Sequence, residues 1–546
     1  MGKQVVRYVV LVAALVLHFQ PTLEGARPAQ MDPQGFPRRP KLVVVLVIDQ
    51  FRFDYLMRFR PQFVEGGFNL LLKGGANFVN CRYDYATTET GPGHATLFTG
   101  AYGNIHGIVQ NEWYDRALHR PVYCVEDREA TLVGENEGAT PEGGVSPRNL
   151  WGSTIGDELR MASGFRSKVI AISLKDRAAV LAGGHTANAA YWYDSKSGRF
   201  VTSSYYMPAL PSWAREFNRG AVAKAYCGKP WQALRETPGA EGQTLLGEVS
   251  AGGPCPSPRF FEWLMGTPFM NEVELNFALE AVRGERLGQG PSTDLLAISL
   301  SINDYIGHQF GPYSPQVADV VLRTDRYLAD FFAALDRLVG MNNIWVVLSA
   351  DHGVAPSPQY IAEHNLGLGQ LRPATIRQAI EKALTTSFGN DDWIEAMQGS
   401  SVTLNIRTLE KRGLDRSRVE AMAVAAATSV TGVQAAFTRT QFLSGTLPSN
   451  PWAHKAANSF NVARSGDILL IGSEFAVPSS STTGSTHGSP WTYDSQVPLI
   501  LWGSAFKPGV YAKPSQPVDM AATLAAAMGI TQPSGAQGQP LVEALR

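Results

Sequence analysis

Cysteine is scarce in this 546-residue chain: Cys81, Cys124, Cys227 and Cys255 are the whole supply, and none stands in a Cys-x-x-Cys pair. That excludes a thiolate metal cluster or a dithiol redox centre. An excess of one charge is also lacking, with 47 basic residues against 48 acidic ones. General electrostatic attraction to nucleic acid or to an anionic membrane is thereby excluded, and any affinity for anions must be local. No apolar run is long enough for a membrane span: residues 8–17 form a run of ten, half of the roughly 20 needed. Internal repeats are absent, and low complexity is confined to residues 479–485.

With Lys3 and Arg7 ahead of it, the 8–17 run reads as the apolar centre of an export signal covering residues 1–26, an uncleaved anchor being the alternative. No cysteine follows to take a lipid. An exported chain with four cysteines is expected to form two disulfides, and of the three pairings proximity favours Cys81 with Cys124 and Cys227 with Cys255. The 53 glycines and 34 prolines imply many ordered turns.

Short, nearly continuous apolar runs at 42–48, 168–174, 295–302, 344–348 and 498–502 have the character of parallel strands buried on both faces. Helical patterns lie between them, the clearest opening at Ser314-Pro315, a cap followed by proline in the first turn. The fold class is α/β, a largely parallel sheet flanked by helices. Residues 40–546 make one catalytic domain with two interruptions. The first, 185–265, is loop-rich, carries two cysteines and begins with a hairpin at 190–203. The second, 385–480, reads as strand 402–406, helix 416–430 and strands 433–437 and 468–471, a small α+β unit.

Chemistry-bearing residues collect where the apolar runs end. Run 42–48 leads into Asp49, 168–174 into Lys175-Asp176-Arg177, 295–302 into Asn303-Asp304, and 344–348 into Asp351-His352. Ligands of open α/β sheets bind outside the carboxyl ends of the strands, so these groups can converge. Taken singly, an Asp there reads equally as a helix cap or turn former. Asp304 and His308 are four apart, which on a helix puts carboxylate and imidazole on one face; His487 precedes the last apolar run. Three Asp and three His in this order are hard to ascribe to chance. Thr90-Gly91-Pro92-Gly93-His94 places a hydroxyl at a glycine-rich helix start, where a phosphate or an alkoxide is stabilised.

The Thr-x-Pro-x-His sequence at Thr90, together with Asp49, Asp304/His308, Asp351-His352 and His487 in that order, resembles the nucleotide pyrophosphatase/phosphodiesterase branch of the alkaline phosphatase superfamily. Within the branch, Lys175-x-Arg177 and Asn111 resemble the bacterial phosphate-irrepressible alkaline phosphatases. The resemblance implies an alkaline phosphatase-like fold and two Zn2+ per chain about 4 Å apart. One would be held by Asp49, Asp351, His352 and the Thr90 oxygen, the other by Asp304, His308 and His487. It further implies hydrolysis of small phosphate monoesters through a phosphothreonine on Thr90, with Asn111, Lys175 and Arg177 binding the phosphoryl oxygens, and a periplasmic or secreted bacterial address.

A diester would have to place its second organic group where Lys175 or Arg177 sits, which argues for monoesters. A phosphodiesterase or nucleotide pyrophosphatase is the nearest alternative, indicated if Lys175 points away from Thr90; a non-catalytic zinc- or phosphate-binding protein is more remote. A sulfatase would carry Cys or Ser at position 90 and Arg at 94. His94 and His106 read as structural, Asp54, Glu112 and Asp176 as solvated or supporting, and Tyr85 and Trp113 as packing. Monoesterases of this kind can leave the rest of the substrate in solvent.

Overall fold

The computed structural model describes residues 39–134, 144–220, 222–247, 255–479 and 482–546. The expected export signal lies outside them. No helix among the described residues is long and apolar enough to cross a membrane.

Four strands carry the site: β1 (Leu42–Ile48), β2 (Val169–Ser173), β3 (Asp294–Leu300) and β4 (Ile344–Ser349). Every residue in them is buried, as expected of Val/Ile/Leu-rich strands covered on both faces. In the central ten-stranded sheet the order is Gly509–Tyr511, Gly75–Phe78, Leu499–Trp502, β4, β1, β3, β2, Ala189–Asp194, Arg199–Ser203, Leu132–Val133. The strands from β4 to Ala189–Asp194 are parallel. Val47 is level with both Ser299 and Ser349, and Ser299 with Ser173, so four strands deliver their following residues to one edge.

The helices that matter are α1 (Thr90–Thr99), α2 (Asp176–Gly183), α3 (Phe269–Glu285), α4 (Ile302–Phe310) and α5 (Pro315–Leu338). Helix α5 starts where the sequence indicates, with the Ser314 hydroxyl accepting from Val317 N–H, an ordinary N-cap. Helix α1 is buried along its whole length.

Four expectations are corrected. The last apolar strand, Leu499–Trp502, runs antiparallel to β4; the chain reaches it from the His487 loop at the carboxyl edge and so must run back. β3 ends at Leu300, and α4 begins at Ile302. The hairpin assigned to the loop-rich stretch joins the central sheet, since Ala189–Asp194 pairs in parallel with β2. Finally, one disulfide forms where two were expected. Cys227 is bonded to Cys255, whereas Cys81 and Cys124 are free and buried. Cys81 pairs with Ser515 across a β-bridge, while Cys124 lies under α1, its Sγ 3.2 Å from where a Gly91 Cβ would stand.

A second, antiparallel sheet has the order Ile394–Gln398, Ser401–Leu404, Ile468–Gly472, Val433–Thr438. Its first strand escapes the sequence reading because four of its five residues are only half-buried and give little apolar signal. Helices Pro373–Phe388 and Arg416–Thr428 cover it with a separate apolar core that includes Ile380, Leu384, Val402 and Val419.

Candidate active site and metal centre

Asp49 follows β1, Asp304 sits in the first turn of α4 and Asp351 follows β4, and all three are buried. Asp49, Asp351 and His352 offer ligand atoms within 4.8 Å of one another, as do Asp304, His352 and His487. His352 therefore belongs to both groups, and its ring stacks on that of His487 at 3.6 Å. His308 joins through Asp304, with Nε2 3.1 Å from Oδ1.

The tautomers follow from the backbone. Nδ1 of His308, His352 and His487 bonds the carbonyl oxygens of Ser485, Gly353 and Thr88 at 2.8, 2.9 and 2.7 Å. A carbonyl can only accept, so each Nδ1 carries the proton. In the neutral ring Nε2 then presents a lone pair, and all three point at carboxylates: His352 Nε2 is 3.5 Å from Asp49 Oδ1, and His487 Nε2 is 3.7 Å from Asp304 Oδ1. Burial holds His352 below its usual range; burial, with His352 and His308 nearby, does the same to His487. Asp49 Oδ1, Asp351 Oδ2 and His352 Nε2 are buried without a hydrogen bond. Lone pairs aimed at carboxylates, with each distal nitrogen tied to a carbonyl, is the donor set that a cation such as zinc requires.

One cation of the chain itself is in this place. Lys175 Nζ lies 2.7 Å from Asp49 Oδ2 and 2.5 Å from Asp304 Oδ2. Burial, together with repulsion from Asp304 and Asp351, pushes Asp49 well above the usual carboxylate range. Burial works in the same direction on Asp304, but Lys175, with His308 and His487 when they are protonated, outweighs it and holds that carboxyl well below. Three buried carboxylates facing one ammonium leave room for further positive charge.

Thr90 is the first residue of α1, and its hydroxyl is reached by Arg177 Nη2 at 3.4 Å. Gly91 N–H donates to Asn111 Oδ1 at 2.7 Å, which leaves the Asn111 amino group as the donor end beside the helix start. Gly93 is required by close approach: a Cβ there would lie 2.3 Å from the Asp351 carbonyl oxygen. Lys175 and Arg177 bracket the start of α2. Arg177 is braced by Tyr123, whose hydroxyl accepts from Nη1 at 3.3 Å and donates to Asp176 at 2.5 Å. Asn111, Arg177 and Thr90 thus come together, while Lys175 is turned onto the carboxylates.

Several residues take roles that the sequence did not assign to them. Gln50 adopts φ 62° and donates to Asp304 Oδ1 from Nε2 and to Asp351 Oδ1 from its backbone, at 2.7 and 3.1 Å. Asn303 donates to the Asp49 and Gln50 carbonyls, and Glu89 accepts from Asn111 N–H at 2.7 Å. His94 does more than pack. Its Nδ1 donates to the Thr90 carbonyl and lies 3.3 Å from Asp351 Oδ2, and Nε2 contacts the Ser299 hydroxyl. It ties the helix of Thr90 to Asp351. His106 is structural: burial, aided by Arg464, lowers its pKa to about 3, and it bonds Thr96 and Ile108 N–H. Asp54 pairs with Arg52, and Glu112 accepts from Gln398. Tyr85 packs on Tyr83, and Trp113 lies under Arg464.

Residues 43–489 match the family described as type I phosphodiesterase / nucleotide pyrophosphatase. The chain belongs to this family. It is similar to alkaline phosphatase PafA of Elizabethkingia meningoseptica, 36% identical over 93% of this chain and 95% of the relative. It is also similar to alkaline phosphatase PhoV of Synechococcus elongatus, 35% identical over 95% and 96%. The crystal structure of PafA superimposes with a TM-score of 0.86, covering 93% of this chain and 99% of that one. A solved variant of PafA carries replacements of a threonine, an asparagine, a lysine and an arginine. This family member is an enzyme, a hydrolase of the alkaline phosphatase type.

Proposed function

We propose that the enzyme hydrolyses phosphate monoesters by transferring the phosphoryl group to Thr90 and then to water, with two zinc ions as cofactors. The observation that carries this reading is the meeting of Arg177 and Asn111 at Thr90 on the amino end of α1. Arg177 offers a planar fork and Asn111 an amide donor to phosphoryl oxygens, and the helix dipole favours the anion. The four residue types replaced in the similar phosphatase are those of Thr90, Asn111, Lys175 and Arg177.

Asp49, Asp351 and His352, with the Thr90 oxygen, would hold one zinc, and Asp304, His308 and His487 the other. Zinc at these positions supplies Lewis acidity to the nucleophile and to the departing oxygen. Thr90 Oγ attacks phosphorus, and the bond to the alcohol oxygen breaks. Water then attacks the phosphothreonine, releasing inorganic phosphate and restoring the hydroxyl. His94 and Gln50 are positioning residues that fix Asp351 and Asp304. Export by a cleaved 1–26 signal and a catalytic domain spanning 40–546 belong to the same reading.

The contacts of Lys175 favour a second reading, a phosphodiesterase in which the lysine is a countercharge and not a phosphate donor. The deciding measurement is kcat/KM of the zinc-loaded enzyme on an aryl phosphate and on its methyl diester, with Lys175→Ala and Arg177→Ala alongside. A monoester preference that each variant erodes by about 10–100-fold, the worth of one charge-assisted hydrogen bond, supports the monoesterase; a diester preference sinks it.

A further inference from the structure

A cavity of about 390 Å3 lies beside the four-stranded sheet, against the loop 486–490. Leu371, Ile376, Met397, Leu470 and Ala476 give it apolar walls, and Glu89 and His487 belong to its lining. Two of its lining residues also touch the candidate active site: Glu89 holds Asn111 N–H, and His487 faces Asp304. Its volume is in the range of about 300–1,000 Å3 usual for small-molecule sites. Two lining residues carry buried polar atoms without a partner, Ser400 Oγ and Asp494 Oδ1.

The turn that closes the cavity is latched to the substrate-binding loop. Gln110 Nε2 donates to the Gln398 carbonyl at 3.2 Å, and Gln398 Nε2 to Glu112 at 2.9 Å. These bonds flank Asn111 on both sides, so the edge of the four-stranded sheet is fixed beside the phosphoryl-binding residues.

We infer that this cavity receives the organic group of the substrate, and that the enzyme prefers monoesters of alcohols bearing a compact apolar group of aromatic-ring size. The inference rests on the phosphomonoesterase reading. There the bond between phosphorus and the alcohol oxygen breaks, and the electron pair leaves with that oxygen at the Asp304, His308 and His487 cluster. The group attached to it begins its departure beside His487, which lines the cavity. This departs from the expectation that the alcohol stays in solvent.

The test compares 1-naphthylmethyl phosphate with ethyl phosphate, two alkyl esters, in wild type and in two cavity-filling variants. Met397→Trp acts on a half-buried strand position, and Ser400→Phe acts on a half-buried turn position, a separate element should the first variant misfold. The wild type is expected to favour the naphthylmethyl ester at least tenfold in kcat/KM. Each folded variant should bring the two esters within about threefold, with the inhibition constant of inorganic phosphate changed less than twofold. Equal treatment of both esters by the wild type, or an undiminished preference in both variants, overturns the inference while leaving the monoesterase intact. Absence of turnover of either ester and of phosphate inhibition overturns the monoesterase reading and this inference together.

Discussion

Lys175 Nζ donates to Asp49 Oδ2 across 2.7 Å in a place where both side chains are almost completely buried. Among the described residues Asp49, Asp304 and Asp351 have no other ammonium in contact, so in metal-depleted protein Lys175 is their countercharge. Lys175→Ala should destabilise the metal-depleted enzyme by about 3–5 kcal/mol, the usual cost of breaking a buried pair. With metal restored the loss should shrink, because a bound cation takes over the neutralisation. Urea unfolding with chelator and with zinc measures both; equal losses in the two states would show that the lysine does not share its role with a metal.

Thr90→Ala should lower kcat/KM by several orders of magnitude, as removal of a nucleophile does, with the unfolding midpoint of the metal-depleted protein unchanged. Thr90→Ser keeps the hydroxyl and should retain measurable turnover. Acid-quenched enzyme digested for mass spectrometry should contain a phosphorylated peptide covering residue 90 in wild type and lack it in Thr90→Ala. Full activity in Thr90→Ala would remove the residue from the reaction.

Asp49, Asp304 with His308, and Asp351-His352 were legible because each follows a nearly continuous apolar run, and strand direction then dictates where they meet. Gln50 was not, since its contacts depend on a left-handed backbone that an unbranched glutamine does not announce. The contacts of His94 with Ser299 and Asp351 join segments far apart in the chain. The antiparallel course of Leu499–Trp502 was hidden because a buried edgeward strand has the same apolar composition in either direction. For Cys81 and Cys124, closeness in sequence was a poor guide, as each is committed to a different part of the core.

The cysteine arrangement gives a direct count. Native enzyme should show no thiol reactive to Ellman's reagent, denatured enzyme two, and denatured reduced enzyme four, because Cys81 and Cys124 are buried and Cys227 is bonded to Cys255. With a sequence separation of 28, loop-closure entropy assigns the bond about 3.5 kcal/mol. Cys227→Ser should lose up to that amount in chemical unfolding. Zero thiols in denaturant without reductant would restore the second disulfide.

Glu274, on α3, is buried with neither carboxylate oxygen hydrogen-bonded. Burial, with a smaller contribution from Asp49, raises its pKa well above the usual range. The native state therefore keeps a proton that the unfolded chain releases above about pH 4.3. Such a group contributes stability that is fully present below the unfolded pKa and is lost as pH rises through the folded one. Glu274→Gln removes that dependence without changing the side chain's size. The variant should gain stability relative to wild type on moving from pH 5 to pH 9, read as the difference in urea midpoints. Parallel midpoint curves for the two proteins would show that Glu274 has a partner or is ionised in the native state.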